Sequence, residues 1–205
     1  MELSSHESVA VLAFAPPAGY PRLTRAVLQE LNELLEEAQY AGLFTGVVIA
    51  SSPQSFASGA DISEVAAVAG AAAREFAELG QEACRRIERF PFPVVAAIRG
   101  YCLGGGLDLA LACHGRVATY DSSFGYPGAA LGLMTGWGGT QRLPRLVGKS
   151  TALQIMLTAD RIPATQALTL GLVDELVSSR DLVPAAAKRT EALGAMARGR
   201  LKPGG

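Results

Sequence analysis

Short apolar runs alternate with longer segments whose apolar residues recur every three or four positions, the pattern of strands alternating with helices. Ser8 to Phe14 reads as an opening strand, and Pro16 to Pro21 as a loop that no helix tolerates. Thr24 stands as an N-cap before Val27, Leu28, Leu31, Leu34, Leu35 and Ala38, which line one face of an amphipathic helix. Gly46 to Ala50 is a short buried strand. Asp61 caps the next helix, with Glu64 three residues later in capping-box position. The Ala-rich stretch from Ser63 to Phe90 puts Phe76, Leu79, Cys84 and Ile87 on its apolar side and ends at Pro91 and Pro93. Val94 to Ile98 is a strand, Gly106 opens a helix through Ala112, and Arg116 to Thr119 is a further strand. Phe124 to Gly139 forms a shaped Gly/Pro-rich loop. Helices follow over Gln141 to Gly148, Ser150 to Thr158, Ala164 to Leu170 and Leu182 to Ala197, and the last five residues carry no ordering signal. No repeat of fixed period is visible.

Two glycine-containing segments interrupt this pattern: Phe56-Ala57-Ser58-Gly59-Ala60-Asp61-Ile62 and Arg99-Gly100-Tyr101-Cys102-Leu103-Gly104-Gly105-Gly106-Leu107-Asp108. Each follows a β-branched run and opens into a helical pattern. A strand ending in small residues and running into a helix exposes unpaired N–H groups at the helix start. Two such ends brought together aim two donors at one developing negative oxygen, an oxyanion hole. The pair therefore points to acyl chemistry.

Composition narrows the field. At 205 residues, 49% hydrophobic and 18% charged, the chain fits one ordinary α/β domain and not a disordered one. Its net charge of −1 and scattered arginines argue against nucleic-acid binding. Cys84, Cys102 and Cys113 have no metal-ligand spacing and read as reduced residues of a cytoplasmic protein, with no metal site expected. The N-terminus lacks signal-peptide character, and no apolar stretch reaches membrane-spanning length, so no membrane partner is expected.

Several motifs in order resemble the enoyl-CoA hydratase/isomerase, or crotonase, superfamily: the two glycine segments, Gly138-Gly139-Thr140-Gln141-Arg142-Leu143-Pro144, and Gly148-Lys149-Ser150 through Asp160-Arg161-Ile162 to Gly171-Leu172-Val173. The similarity runs nearly without gaps from about Ser8 to Val177. It implies an α/β fold, a crotonase-like ββα spiral with two roughly perpendicular sheets, here with a shortened C-terminal helical region. On that reading residues 1–180 form the core domain and 181–205 a short helical segment with a disordered end. The resemblance implies an acyl thioester of coenzyme A, or of a carrier protein, as substrate. Coenzyme A then enters as part of the substrate, and no separate cofactor is expected. The oxyanion donors it implies are the N–H groups of Ala60 and Gly105, and Asp108 falls where a catalytic glutamate is usual. Ser58, Gly59, Asp61, Ile62, Gly104, Tyr126 and Gly128 are implied substrate-binding positions, although Asp61 also reads simply as a helix N-cap and Tyr126 equally as wall packing.

The departures decide what chemistry to expect. The second glutamate of the hydratases falls at Gly128, and the acid some isomerases carry in the Leu133 to Trp137 loop falls at Gly136. Paired carboxylates that hold a water between them are thus broken, and double-bond isomerisation or decarboxylation is at least as well supported as hydration. A non-catalytic acyl-thioester-binding or assembly subunit is the alternative. A serine-protease reading ranks below both, because Ser58 has no evident basic partner. His114 lies more than about 10 Å along its helix from Gly105 and reads as structural, His6 as part of a mobile terminus, and Trp137 as pocket shape or core. Arg22 is the residue that could reach a phosphate of the cofactor tail. A trimer-based homo-oligomer is the family expectation, weakened here by the short C-terminal region.

Overall fold

The structure is a computed structural model that describes residues 1–16, 18–61, 63 and 70–200. In chain order its elements are β1 (Glu2–His6), β2 (Val9–Ala13), α1 (Arg25–Tyr40), β3 (Gly46–Ala50), α2 (Ala71–Glu88), β4 (Val94–Ile98), β5 (Tyr101–Leu103) and α3 (Gly105–Ala112). Then come β6 (Gly115–Thr119), β7 (Ser123–Gly125), α4 (Gly139–Val147), α5 (Lys149–Leu157), β8 (Ile162–Pro163), α6 (Ala164–Thr169), β9 (Glu175–Val177) and α7 (Leu182–Arg200). The expected sheet-and-helix layering is present as two sheets with helices packed against them. The larger runs in the order β1-β2-β3-β4-β6-β9, and a smaller one in the order β5-β7-β8.

The central strands are parallel, and β3, β4 and β6 are buried along their whole length. That is why β3 and β4 read as continuous apolar runs and not as alternating ones, whereas β6 buries Arg116 and Thr119 among its apolar residues. On one face Leu28, Leu31 and Leu35 of α1 and Phe76, Cys84 and Ile87 of α2 join the main core. On the other, Leu182, Ala186 and Ala187 of α7 close a second core over Val48, Val95 and Val117. Thr24 caps α1 as expected, its hydroxyl accepting from Val27 N at 3.2 Å.

His6 does not lie in a loose terminus. Glu2–His6 forms the antiparallel edge strand β1, with His6 opposite Val9. The run Glu-Leu-Ser-Ser-His has no apolar alternation because it is an edge with little burial, so its pairing left no trace in the pattern. Strands β5, β7 and β8 were likewise too short to read. Of the helical stretch expected from Ser63 to Phe90, Ser63 is helical and Ala71–Glu88 forms α2, after Gly70 with φ of 55°. The capping partner Glu64 and the last five residues lie outside the described residues.

Two polar features anchor α3, the helix of the second glycine segment. Every residue from Gly106 to Ala112 is buried, and Asp108 is the sole charged residue among them. At its C-terminal end the buried Arg116 donates from Nη1 to Cys113 O at 3.0 Å and from Nε to Leu172 O at 2.8 Å. A cation among terminal carbonyls both satisfies them and suits the helix dipole. His114 accepts from Val94 N at 2.9 Å through Nδ1, and burial lowers its pKa, so its place is structural.

Candidate active site

The register of one short bridge brings the two glycine segments together. Ala57 pairs in parallel with Cys102, with Ala57 N donating to Tyr101 O and Leu103 N to Ala57 O, both at 3.0 Å. Counting three residues on from each partner sets Ala60 beside Gly105. A Cβ built on Gly59 would stand 3.5 Å from Gly105 N and 3.7 Å from Gly104 Cα, so the segments touch. Gly59 and Gly104 have φ of 99° and 53°, left-handed conformations that side chains resist.

Gly105 is the first residue of α3, so its N–H has no acceptor within the helix. Among the described residues, the Ala60 N–H has no protein acceptor either. Both residues line one cavity of about 380 Å³. Two unpaired amides on one wall, one of them at a helix N-terminus, can together stabilise negative charge on an oxygen. A wider surface depression between α1 and α2, lined by Arg25, Glu75, Glu78 and Arg85, is charged and open and contains neither amide.

The cavity gathers Ser58, Gly59, Ala60, Gly104, Gly105, Asp108, Tyr126 and Gly128. Asp61 is not among its lining. Its carboxylate lines a neighbouring depression with Arg22, ion-paired with that residue at 2.8 Å and accepting from Ser63 N at 2.8 Å, as an N-cap does. Arg22 is thereby engaged with Asp61. Ile62 lies outside the described residues. Ser58 donates its hydroxyl to Pro21 O at 3.1 Å, and among the described residues no basic side chain lines its cavity.

Asp108 is the one charged side chain among the described residues of the lining, and only 1% of it is exposed. Oδ1 accepts from the Tyr126 hydroxyl at 2.8 Å. Oδ2 accepts from the Thr135 hydroxyl and from Trp137 N, the latter at 3.1 Å. Burial pushes the carboxyl above its ordinary range, opposed by those three donors and by the charge of Arg142. Burial, with the charge of Asp108 and the bond to it, holds the Tyr126 phenol neutral by pushing it well up.

The remaining wall is apolar: Phe76 and Ala77 of α2, Leu131, Leu133, Met134 and Trp137. Trp137 meets Phe76 edge-on at 5.6 Å between ring centroids, so it is both core and pocket wall. At Gly128, where a second carboxylate was expected by resemblance, a built Cβ would lie 3.4 Å from Leu133 Cβ, in ordinary contact. Thr135 escaped the sequence reading. A hydroxyl 27 residues from its partner has no spacing signature. The three cysteines are unpaired and buried, and burial pushes Cys84 and Cys113 up to about 12. Among the described residues no group of His, Cys, Asp and Glu could hold a metal ion, and no helix is long and apolar enough to cross a membrane.

A family model described as enoyl-CoA hydratase/isomerase matches residues 4–202. Solved structures agree. DspI of Pseudomonas aeruginosa is 34% identical, with 95% of this chain and 73% of that one covered, at a TM-score of 0.86. An enoyl-CoA hydratase of Bacillus anthracis is 31% identical over 93% of this chain and 75% of its own, at 0.87. An enoyl-CoA hydratase/carnithine racemase of Magnetospirillum magneticum is 27% identical over 93% and 73%, at 0.85.

Proposed function

The chain belongs to the enoyl-CoA hydratase/isomerase family, and on that premise we propose that it is an enzyme that shifts a double bond in an acyl thioester of coenzyme A. The thioester oxygen lies between the N–H groups of Ala60 and Gly105. Asp108 supplies the base. A hydrogen leaves one carbon, its bonding electrons delocalise into the thioester as a dienolate, and the proton returns at the far carbon. Atoms and charge balance, and no separate cofactor is consumed. Each donor of such an oxyanion hole contributes about 3–4 kcal/mol to the transition state.

One observation carries this reading: a single buried carboxylate, Asp108, in an apolar cavity that also exposes two unpaired amides. Hydration needs one group to activate water and another to protonate carbon. With glycine at position 128 and Leu133 packed beside it, the second group is missing among the described residues. Proton transfer between carbons needs one carboxylate, which acts twice. The same features support decarboxylation less directly, since carbon dioxide can leave without a base. Glycine at position 128 also favours the alternative reading, a non-catalytic acyl-thioester-binding subunit.

The test is incubation with paired 2-enoyl- and 3-enoyl-CoA thioesters in deuterium oxide, followed by mass spectrometry. The expected result is interconversion with deuterium incorporated, lost in Asp108→Asn. A 3-hydroxyacyl-CoA as main product overturns the isomerase assignment in favour of hydration. Calorimetric binding without turnover favours the binding subunit.

A further inference from the structure

Asp108 is nearly closed off from the cavity in which it is proposed to act. On the Oδ1 edge stand the Tyr126 hydroxyl and the first residue of α4, for a Cβ on Gly139 would run into both Oδ1 and the phenol oxygen. On the Oδ2 edge, Trp137 N–H and the Thr135 hydroxyl take the two in-plane lone pairs of that oxygen. Tyr126 and Trp137 are themselves buried. Thr135 is half-exposed and lines the cavity. Its O–H points at Asp108 and its oxygen also interacts with the Tyr126 phenol, which leaves one lone pair of that oxygen for the cavity side.

We propose that the Thr135 hydroxyl relays the proton between the acyl thioester and Asp108. This rests on the proposed isomerase reading. In the forward step the substrate C–H bond breaks and its proton joins Thr135 Oγ1. In the same motion the Thr135 O–H bond breaks and that proton joins Asp108 Oδ2. The electron pair of the C–H bond stays in the thioester enolate, held at its oxygen by the two amides. No threonine alkoxide forms, because the two transfers are concerted, and Asp108 remains the net base. The return step reverses both transfers at the far carbon. Thr135 is on this account a catalytic residue, while Tyr126 and the Trp137 N–H are positioning groups that hold the carboxylate facing it.

Release of tritium from the α-carbon of 3-hexenoyl-CoA, followed in light and heavy water, tests the relay. Direct abstraction by Asp108 moves no solvent-derived hydron and gives a solvent isotope effect near unity. The relay moves the Thr135 hydron with the substrate's and gives a clear normal effect. Thr135→Val should lose at least about 100-fold in kcat, as for removal of a general acid–base group, with KM little changed. Thr135→Ser should restore the rate to within about tenfold and keep the solvent effect, since it returns the same acid–base group. A solvent effect near unity in the natural protein, or Thr135→Val within about threefold of it, overturns the relay. If the natural protein itself releases no tritium, the isomerase reading fails and takes the relay with it. Circular dichroism and thermal melting of each variant confirm that an inactive one is folded.

Discussion

The ring of Trp137 lies over the α-carbon of Gly105: a Cβ built there would stand 2.8 Å from Trp137 Cε3 and closer still to Cζ3. The ring has no room to retreat. Its other edge abuts Gly80 of α2, and Phe76 meets it edge-on. The amide proposed to bind the thioester oxygen and the wall of the acyl pocket are therefore one packed unit.

Gly105→Ala should accordingly destabilise the fold by about 1–3 kcal/mol, the usual cost of overpacking a rigid core. Denaturant melts measure it. The same substitution should lower turnover by more than its effect on stability explains, because moving the ring shifts the amide beside it. A variant with wild-type stability would show that the ring gives way.

Asp108→Asn should separate activity from stability. The folded-state pKa of Asp108 is raised above 3.8, mainly by burial. The folded protein thus binds this proton more tightly than the unfolded chain, and stability falls as pH rises from about 4 through the folded pKa. Asparagine removes that cost while keeping an acceptor for Thr135 and Trp137 and an amide toward Tyr126. The variant should be inactive, and its melting temperature should exceed the natural protein's at pH 7 by more than at pH 4. A gap that widens on acidification contradicts the assignment.

Gly128→Glu should introduce hydration. Its Cβ makes only ordinary contact with Leu133, so the backbone can accept a side chain there. A second carboxylate in the cavity supplies a missing acid–base group, worth a gain on the order of 10²-fold in 3-hydroxyacyl-CoA formed from a 2-enoyl-CoA. Like-charge repulsion should also move the acid limb of Asp108-dependent activity to higher pH. Mass spectrometry of the product and a pH–rate profile check both. A folded variant with no hydroxylated product would mean that water is not held at that position.

Gly46→Ala probes the other face of the sheet. A Cβ there would meet Thr190 Oγ1 at 2.6 Å and Thr190 Cβ at 2.7 Å, pressing β3 against α7. The expected loss is about 1–3 kcal/mol by overpacking, with catalysis little changed in the protein that remains folded. Thermal melts alongside specific activity separate the two. Equal stability would mean that α7 can slide on the sheet.

Much of the architecture was legible along the chain because it depends on local chemistry. Parallel strands buried on both faces are mostly apolar, so β3 and β4 stood out with their boundaries. The periodicity of Leu28, Leu31 and Leu35 and the Thr24 cap specified α1. Both glycine segments declared themselves through residues that backbone geometry requires. By contrast, β1 is a polar edge held only by backbone pairing, and β5, β7 and β8 are two or three residues long, too short for any period.

The sequence by itself determined the fold class, the two glycine segments and the one acid, Asp108, that follows them on a wholly apolar helix. Only the tertiary structure decided what surrounds that acid. The pairing of Ala57 with Cys102 brought the two glycine segments together, Asp61 paired with Arg22 beside them, and the loop after Leu133 brought Thr135 and Trp137 onto Asp108. The physical reason is range. Helix and strand propensities act over a few residues, whereas a carboxylate's partners and its burial depend on loops that the chain returns to the same point from far away.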